Sequence, residues 1–209
     1  MAAALPRSFL ARSAVVVARS LLGMHLLMRR PQGIAIGRIV ETEAYEGPDD
    51  LAAHSAGGRR TARNEVMYGQ AGQAYVYLIY GLWNCLNVVT ATAGTPHAVL
   101  LRAVEPVSGL DAPCWGPGLL CRALGIDRRH NGLDLCGAGP GEPALWLEAS
   151  EHPQPLRVAT SARIGVDYAG DWALRPWRFY DRDSPYVSTV SAATRRRALR
   201  AAGAPQIQV

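Results

Sequence analysis

"MHLLMRRPQGIAIGRIVETEAYE", residues 24–46, decides how the chain is built. Residues 24–28 are an apolar, strand-like run, and Pro31, Gln32 and Gly33 supply turn chemistry. Residues 34–43 read as a second, longer strand, so the two form an antiparallel hairpin. Side chains alternate faces along a strand. Strict alternation puts Ile39, Glu41 and Glu43 on one face and Val40 and Thr42 on the other. The two glutamates are then about 7 Å apart. That gap suits an inverting glycosidase pair, which needs roughly 6.5–9.5 Å, but side-by-side carboxylates on one strand cannot flank a bond from opposite sides. The expectation is one working carboxylate and one structural one. For a single Glu at a strand end, a solvated or ion-paired role stands open beside the catalytic one.

Working outward, residues 8–22 read as one helix with Leu10, Val15, Val16 and Leu21 near one face, stopped by Gly23. Residues 57–73 are a polar loop rich in Gly and Arg. Residues 74–79 and 84–90 are strands joined through Tyr80, Gly81, Leu82 and Trp83, a second hairpin. Residues 98–104 form a strand ended by Pro106, and 118–124 a short helix stopped by Gly125. Strands follow at 145–148 and 157–166. Strands dominate, no repeat is visible, and no domain-sized linker interrupts the chain. One domain is expected over residues 1–193, then an Ala- and Arg-rich tail over 194–209, helical or frayed. Residues 1–5 read as a mobile end.

The chain's 209 residues can bury one substantial core. A hydrophobic content of 49% with 21 Gly describes a globular, loop-rich protein. The formal charge of +5 permits an anionic partner without requiring one. All 22 basic residues are Arg and none is Lys, as the base bias of a GC-rich genome produces. Without an ε-amine the side chains offer no Schiff base and no P-loop lysine. The four Cys include no CxxC pair, and with five scattered His they give no zinc spacing. Residues 14–28 are apolar but broken by Arg19, Ser20 and His25, too short for a membrane span. A soluble intracellular protein with buried thiols and no bound metal is expected.

Three further groups of residues could carry chemistry. Tyr75 and Tyr77 share a strand face, and at least one is expected in the core. Tyr80, beside Gly81 at the hairpin tip, is placed to meet solvent or a partner, and an aromatic there can enter a base step. Arg59, Arg60 and Arg63 sit in a Gly-rich loop that is either solvated or in contact with phosphates. Arg102, inside the apolar run "AVLLRAVEP", needs a carboxylate partner, with Glu43 or Glu105 the natural choices.

The stretch "GRIVETEAYEGPDDLAAHSAGGRRTARNEVMYGQAGQAYVYLIYGLWNCLNVV" closely resembles the alkyladenine (3-methyladenine) DNA glycosylase family. The likeness continues through "VLLRAVEP", "GPGLLCRALGID", "NGLDL", "ARIGV" and "RPWRFY", covering about residues 8–188. It implies a mixed α/β (α+β) fold: a single compact domain with a curved antiparallel sheet, flanking helices and a protruding hairpin. It implies that Glu43 activates a water as general base, with Arg102 helping to position it. Tyr45, His54 and Tyr77 would wall a base pocket, Asn87 would reject ordinary guanine, and Tyr80 would fill the gap left by a flipped nucleotide. Arg59, Thr61 and Arg63 would contact the DNA backbone, together with Arg178. The acidic turn at residues 46–50 would fold the chain back so that His54 closes the pocket, with Glu41, Asp49 and Asp50 structural.

The implied partner is double-stranded DNA containing damaged purines, handled by a monomer with no cofactor, in the cytoplasm at a bacterial nucleoid. The chain departs from the family in three places. Leu119 replaces the usual basic residue of "GPGKL", the stretch 110–115 is short, and the tail from Thr194 matches no family motif. Two other readings are a carbohydrate glycosidase, which needs a second acid across the bond, and a non-catalytic nucleic-acid binding module, which needs neither Glu43 nor Arg102.

Overall fold

A computed structural model describes residues 3–137 and 145–201 of the chain. Its frame is one antiparallel sheet. The strands are β1 (His25–Arg30), β2 (Gly33–Glu46), β3 (Ala74–Ile79), β4 (Trp83–Thr90), β5 (His97–Ser108), β6 (Leu145–Glu148), β7 (Val158–Ser161) and β8 (Arg178–Asp181). Their spatial order is β3-β4-β5-β2-β1-β6, with β8 on β2 and β7 on β8. Helices α1 (Arg7–Leu10), α2 (Ala14–Ser20), α3 (Pro117–Leu124) and α4 (Ala192–Ala201) flank the sheet. This is the α+β domain with a curved antiparallel sheet and a protruding hairpin that the sequence led us to expect.

β2 organises the molecule because it is long enough to take two partners along one edge. Its first half pairs with β1 and Glu41–Glu43 pair with β8, while β5 runs along the other edge. The pairing slips at Glu41: Ile39 faces Val104 and Glu41 faces Ala103, leaving Val40 extra. That bulge overturns the strict alternation expected here. Ile39 lies in the main core, whereas Val40 packs with Ala103 and Tyr186 in a separate cluster. Beyond the bulge alternation resumes. Thr42 donates to the Ala18 carbonyl of α2 at 2.8 Å and Ala44 joins the main core. Glu41, Glu43 and Tyr45 therefore face away from that core. A bulge serves to re-aim side chains in this way.

Other departures have local causes. The helix expected over 8–22 is two helices, because the Ser13 hydroxyl accepts from Val16 N and caps a new start. β5 continues past Pro106, which is tolerated because a second register shift at Ile36/Gly37 leaves Val107 extra beside it. Gly37 is required there, since a Cβ would lie 2.6 Å from Val104 Cγ2. The strand expected over 157–166 ends at Ser161, where the chain leaves the sheet. β8, whose residues lay inside the quoted motif "RPWRFY", was not anticipated as a strand. The chain is already tied at Leu5, which is buried and donates from its N–H to the Leu147 carbonyl at 2.8 Å, rather than mobile through residue 5. Of the tail, α4 is described through Ala201, and residues 202–209 lie outside the described residues. Arg195 of α4 packs back on the domain, over the Trp115 ring and onto the Pro185 and Val187 carbonyls. Among the described residues no helix is long and apolar enough to cross a membrane.

Candidate active site

Where Glu41, Glu43 and Tyr45 emerge from β2, the sheet and two loops enclose a cavity of about 270 Å³. Tyr75 and Tyr77 come from β3, Asn87 from β4, Arg102 from β5, His54 and Arg63 from the loop after β2, and Ile164, Gly165, Val166 and Tyr168 from the loop after β7. No carboxylate lines the cavity among the described residues.

Glu43 is fully buried behind this lining and does not itself border the cavity. Its Oε2 accepts from the Tyr45 hydroxyl at 2.9 Å and from Arg102 Nη1 at 3.2 Å. Its Oε1 accepts from the backbone N–H of Ile164 at 2.8 Å. All three donors belong to residues that do border the cavity. Burial first, and then the Glu43 charge, raises the Tyr45 phenol well above its ordinary range, so it stays a donor.

Glu41 has a different surrounding. Oε1 accepts from Arg102 Nε at 3.0 Å, Arg178 Nε at 2.7 Å and the Ser188 hydroxyl at 2.8 Å, and Oε2 from Ser188 N at 2.6 Å. Burial alone would raise its pKa, but Arg102, Arg178 and the Ser188 N–H outweigh that and hold it low. A carboxylate offers about four lone-pair sites. Glu41 accepts four protein hydrogen bonds, three on Oε1 and one on Oε2, with two arginines among the donors, whereas Glu43 accepts three, with one arginine. Arg102 bridges both, and Glu105, its other expected partner, pairs with Arg38 instead.

The aromatic walls are held by polar contacts. His54 Nδ1 lies 2.8 Å from the Tyr75 hydroxyl, and its ring meets Tyr77 edge-on at 4.6 Å. Burial first, then the charges of Arg63 and Arg59, pushes the His54 pKa down to about 4, so the imidazole is neutral at pH 7. Tyr75 completes this wall and was absent from the expected pocket residues. Asn87 is buried, borders the cavity and donates from Nδ2 to the Tyr75 carbonyl at 3.1 Å.

Behind Tyr45 lies Arg163, its guanidinium 4.7 Å from the Tyr45 ring and 5.2 Å from Trp177. Arg163 and Asp50 form a fully buried ion pair, and Asp50 also accepts from Ala52 N and Glu46 N. This pair ties the acidic turn to the loop after β7. Sequence reasoning missed Arg163 and Ile164 as site residues, although both lie in the quoted motif "ARIGV".

The loop after β2 is organised by buried Asn64. Its Oδ1 accepts from Thr61 N and Thr61 Oγ1, and its Nδ2 donates to the His54 and Arg59 carbonyls. The Thr61 hydroxyl is thus engaged within the loop, while Arg59 is exposed. Arg60 is committed to Glu65 at 2.9 Å and stacks over Tyr68. Arg63 lies over the Tyr77 ring at 5.2 Å and borders the cavity. Arg178 is buried against Glu41, Ser161 and Thr189, which removes it from the expected phosphate contacts.

The hairpin of β3 and β4 carries Tyr80 at its tip. Tyr80 and Gly81 both have positive φ, 52° and 69°, and Leu82 N donates to the Ile79 carbonyl, the signature of a type I′ turn. A tyrosine in the left-handed region is strained. Tyr80 is also 86% exposed and its neighbour Leu82 77%, so the tip presents two apolar side chains to solvent. Leu119, where the family's basic residue would stand, lies in α3.

A family model described as methylpurine-DNA glycosylase matches residues 8–185. A protein of Methanocella arvoryzae is 49% identical over 197 residues, covering 88% of this chain and 95% of its own length. One from Myxococcus xanthus is 51% identical over 195 residues, covering 92% of this chain and 97% of its own. One from Desulfitobacterium hafniense is 45% identical over 204 residues, covering 88% and 98%. Each carries the provisional name 3-methyladenine DNA glycosylase.

Proposed function

This chain belongs to the methylpurine-DNA glycosylase family, and on that premise we propose that it is a monofunctional glycosylase that removes damaged purines from duplex DNA. The substrate class is 3-methyladenine, 7-methylguanine, hypoxanthine and ethenoadenine, and the product is an abasic site. The protein acts as a monomer, without a cofactor, on the DNA of the cytoplasm.

The observation that carries the mechanism is the trapped carboxylate behind an aromatic cavity: Glu43, held by Tyr45, Arg102 and the Ile164 N–H. A base inside a duplex must leave the stack before chemistry, at a cost of a few kcal/mol, less when damage has weakened its pairing. Tyr80 fills the space it leaves. The extruded base enters between Tyr45, His54 and Tyr77. Asn87 meets its edge and excludes the exocyclic amine of guanine. Water attacks the anomeric carbon, Glu43 takes its proton, and the electrons of the N-glycosidic bond leave with the base. Arg102 positions both carboxylate and water. Arg59, Thr61 and Arg63, all from the loop after β2, contact the backbone flanking the lesion in this reading.

The carbohydrate-glycosidase reading needs a second acid facing Glu43 across the bond. Glu41 is held by Arg102 and by Arg178 and Ser188, and the latter two do not border the cavity, whereas all three donors to Glu43 do. A binding module would gain nothing from desolvating Glu43. The test is Glu43→Gln on duplexes carrying a single lesion. The amide keeps the shape but cannot accept the proton, so base release should vanish while lesion binding stays within about tenfold. Substantial turnover by that variant would remove Glu43 from its role.

A further inference from the structure

Aromatic faces attract cations through the ring quadrupole. An aromatic cavity would therefore be expected to favour purines that alkylation has made cationic. Here two of the walls already carry a guanidinium: Arg163 lies 4.7 Å from the Tyr45 ring and Arg63 5.2 Å from the Tyr77 ring. Arg163 does not border the cavity, so it covers the side of Tyr45 turned away from an entering base. A ring polarised by one cation offers less to a second.

The charges nearby do not leave all these cations equal. Arg102 and Arg178 are matched by Glu41 and Glu43, and Arg163 by Asp50. Arg63 donates to the Leu78 carbonyl at 3.2 Å and, among the described residues, forms no ion pair. It is thus the uncompensated charge of the cavity lining. We propose that Arg63 sets the charge preference of this site: its guanidinium on the Tyr77 ring makes the cavity bind neutral damaged purines in preference to cationic ones.

His54 reports the same field. Its ring touches Tyr77, and after burial the charges of Arg63 and Arg59 are what keep it from taking up a proton. A field that resists positive charge on that imidazole resists it on a base a few ångströms away. The division of labour is chemically sensible. A cationic purine leaves as a neutral base and needs little help, whereas a neutral one gains most from tight seating.

The inference rests on the glycosylase reading, and its test separates the two. Single-turnover base release is measured against enzyme concentration on duplexes carrying hypoxanthine, which is neutral, or 7-methylguanine, which is cationic in the nucleoside. Wild type is compared with Arg63→Gln and Arg63→Lys. The glutamine variant should shift the half-saturation ratio toward 7-methylguanine by roughly three- to tenfold, and the lysine variant should stay near wild type. In parallel, the His54 imidazole should titrate at higher pH in Arg63→Gln when followed by NMR. An equal loss on both lesions would mean a phosphate contact only, and would overturn the proposal, as would an unmoved His54 titration. Release of neither lesion by wild type would overturn the glycosylase reading itself.

Discussion

Glu41 and Glu43 share a strand, a face and an arginine, and what separates them is who else reaches them. Ser188 reaches both oxygens of Glu41, while Ile164 N approaches Glu43 from a loop 121 residues away. A backbone N–H carries no side-chain signal, so this contact could not be read from residue types. The choice of Glu43 over Glu41 as the proposed base thus followed from the sequence only through the family likeness. Residue-scale electrostatics also gives a pH prediction for His54. Its pKa is about 6.5 in an unfolded chain and about 4 when folded, through burial first and then Arg63 and Arg59. Between those values the unfolded state binds more protons, so stability rises with pH across that window. The contribution is present in full above pH 6.5 and is lost as the pH falls toward 4. Urea unfolding at pH 5 and pH 7.5 should show a stability deficit at pH 5 that shrinks in His54→Gln. His25 and His97 are also shifted down, mainly by burial, so some deficit should remain. An unchanged pH dependence in the variant would show that His54 does not carry it.

At the scale of elements, the two hairpins were legible because period-2 alternation and turn residues act locally. The bulge at Val40 was not, because it depends on β5 offering one residue against two. Nor was β8: its four residues follow Pro176, and it becomes a strand only because Glu41–Glu43 leave an edge of β2 open. The split of the first helix turned on Ser13, a capping residue hidden in an apolar pattern. The β3–β4 hairpin is the element whose stability and use diverge most. Its turn calls for positive φ at two positions, and Tyr80 occupies one of them at a steric cost, almost wholly exposed. Strain kept at an exposed site points to use. Asparagine tolerates the left-handed region better than tyrosine. Tyr80→Asn should therefore raise stability by about 0.5–1 kcal/mol while weakening base release from duplex DNA. Release from a flexible single strand, where there is no stack to open, should fall much less. Equal losses on both substrates, or a destabilised variant, would contradict the wedge.

At the scale of the whole molecule, the start of the described chain is fastened to the sheet. Residues 4 and 5 are bound to β6, and the cavity is lined from β3, β4, β5 and the exit of β2. This bears on what the site can do after the base has gone. Glycosylases that cut the strand attack the sugar with an amine, which becomes an imine. The chain has no Lys, so no side chain offers a primary amine. Leu5 is buried and hydrogen-bonded to Leu147, which fastens the start of the described chain to β6. Composition thus favours water as the nucleophile of the proposed reaction. The expected outcome is an abasic site without strand cleavage. Borohydride added during reaction with a lesion duplex should trap no protein–DNA adduct. A denaturing gel should show breaks only after alkali treatment. A borohydride-stable adduct mapped to the N-terminus would mean that the chain's start detaches from β6 and reaches the cavity, and that the enzyme is a lyase after all.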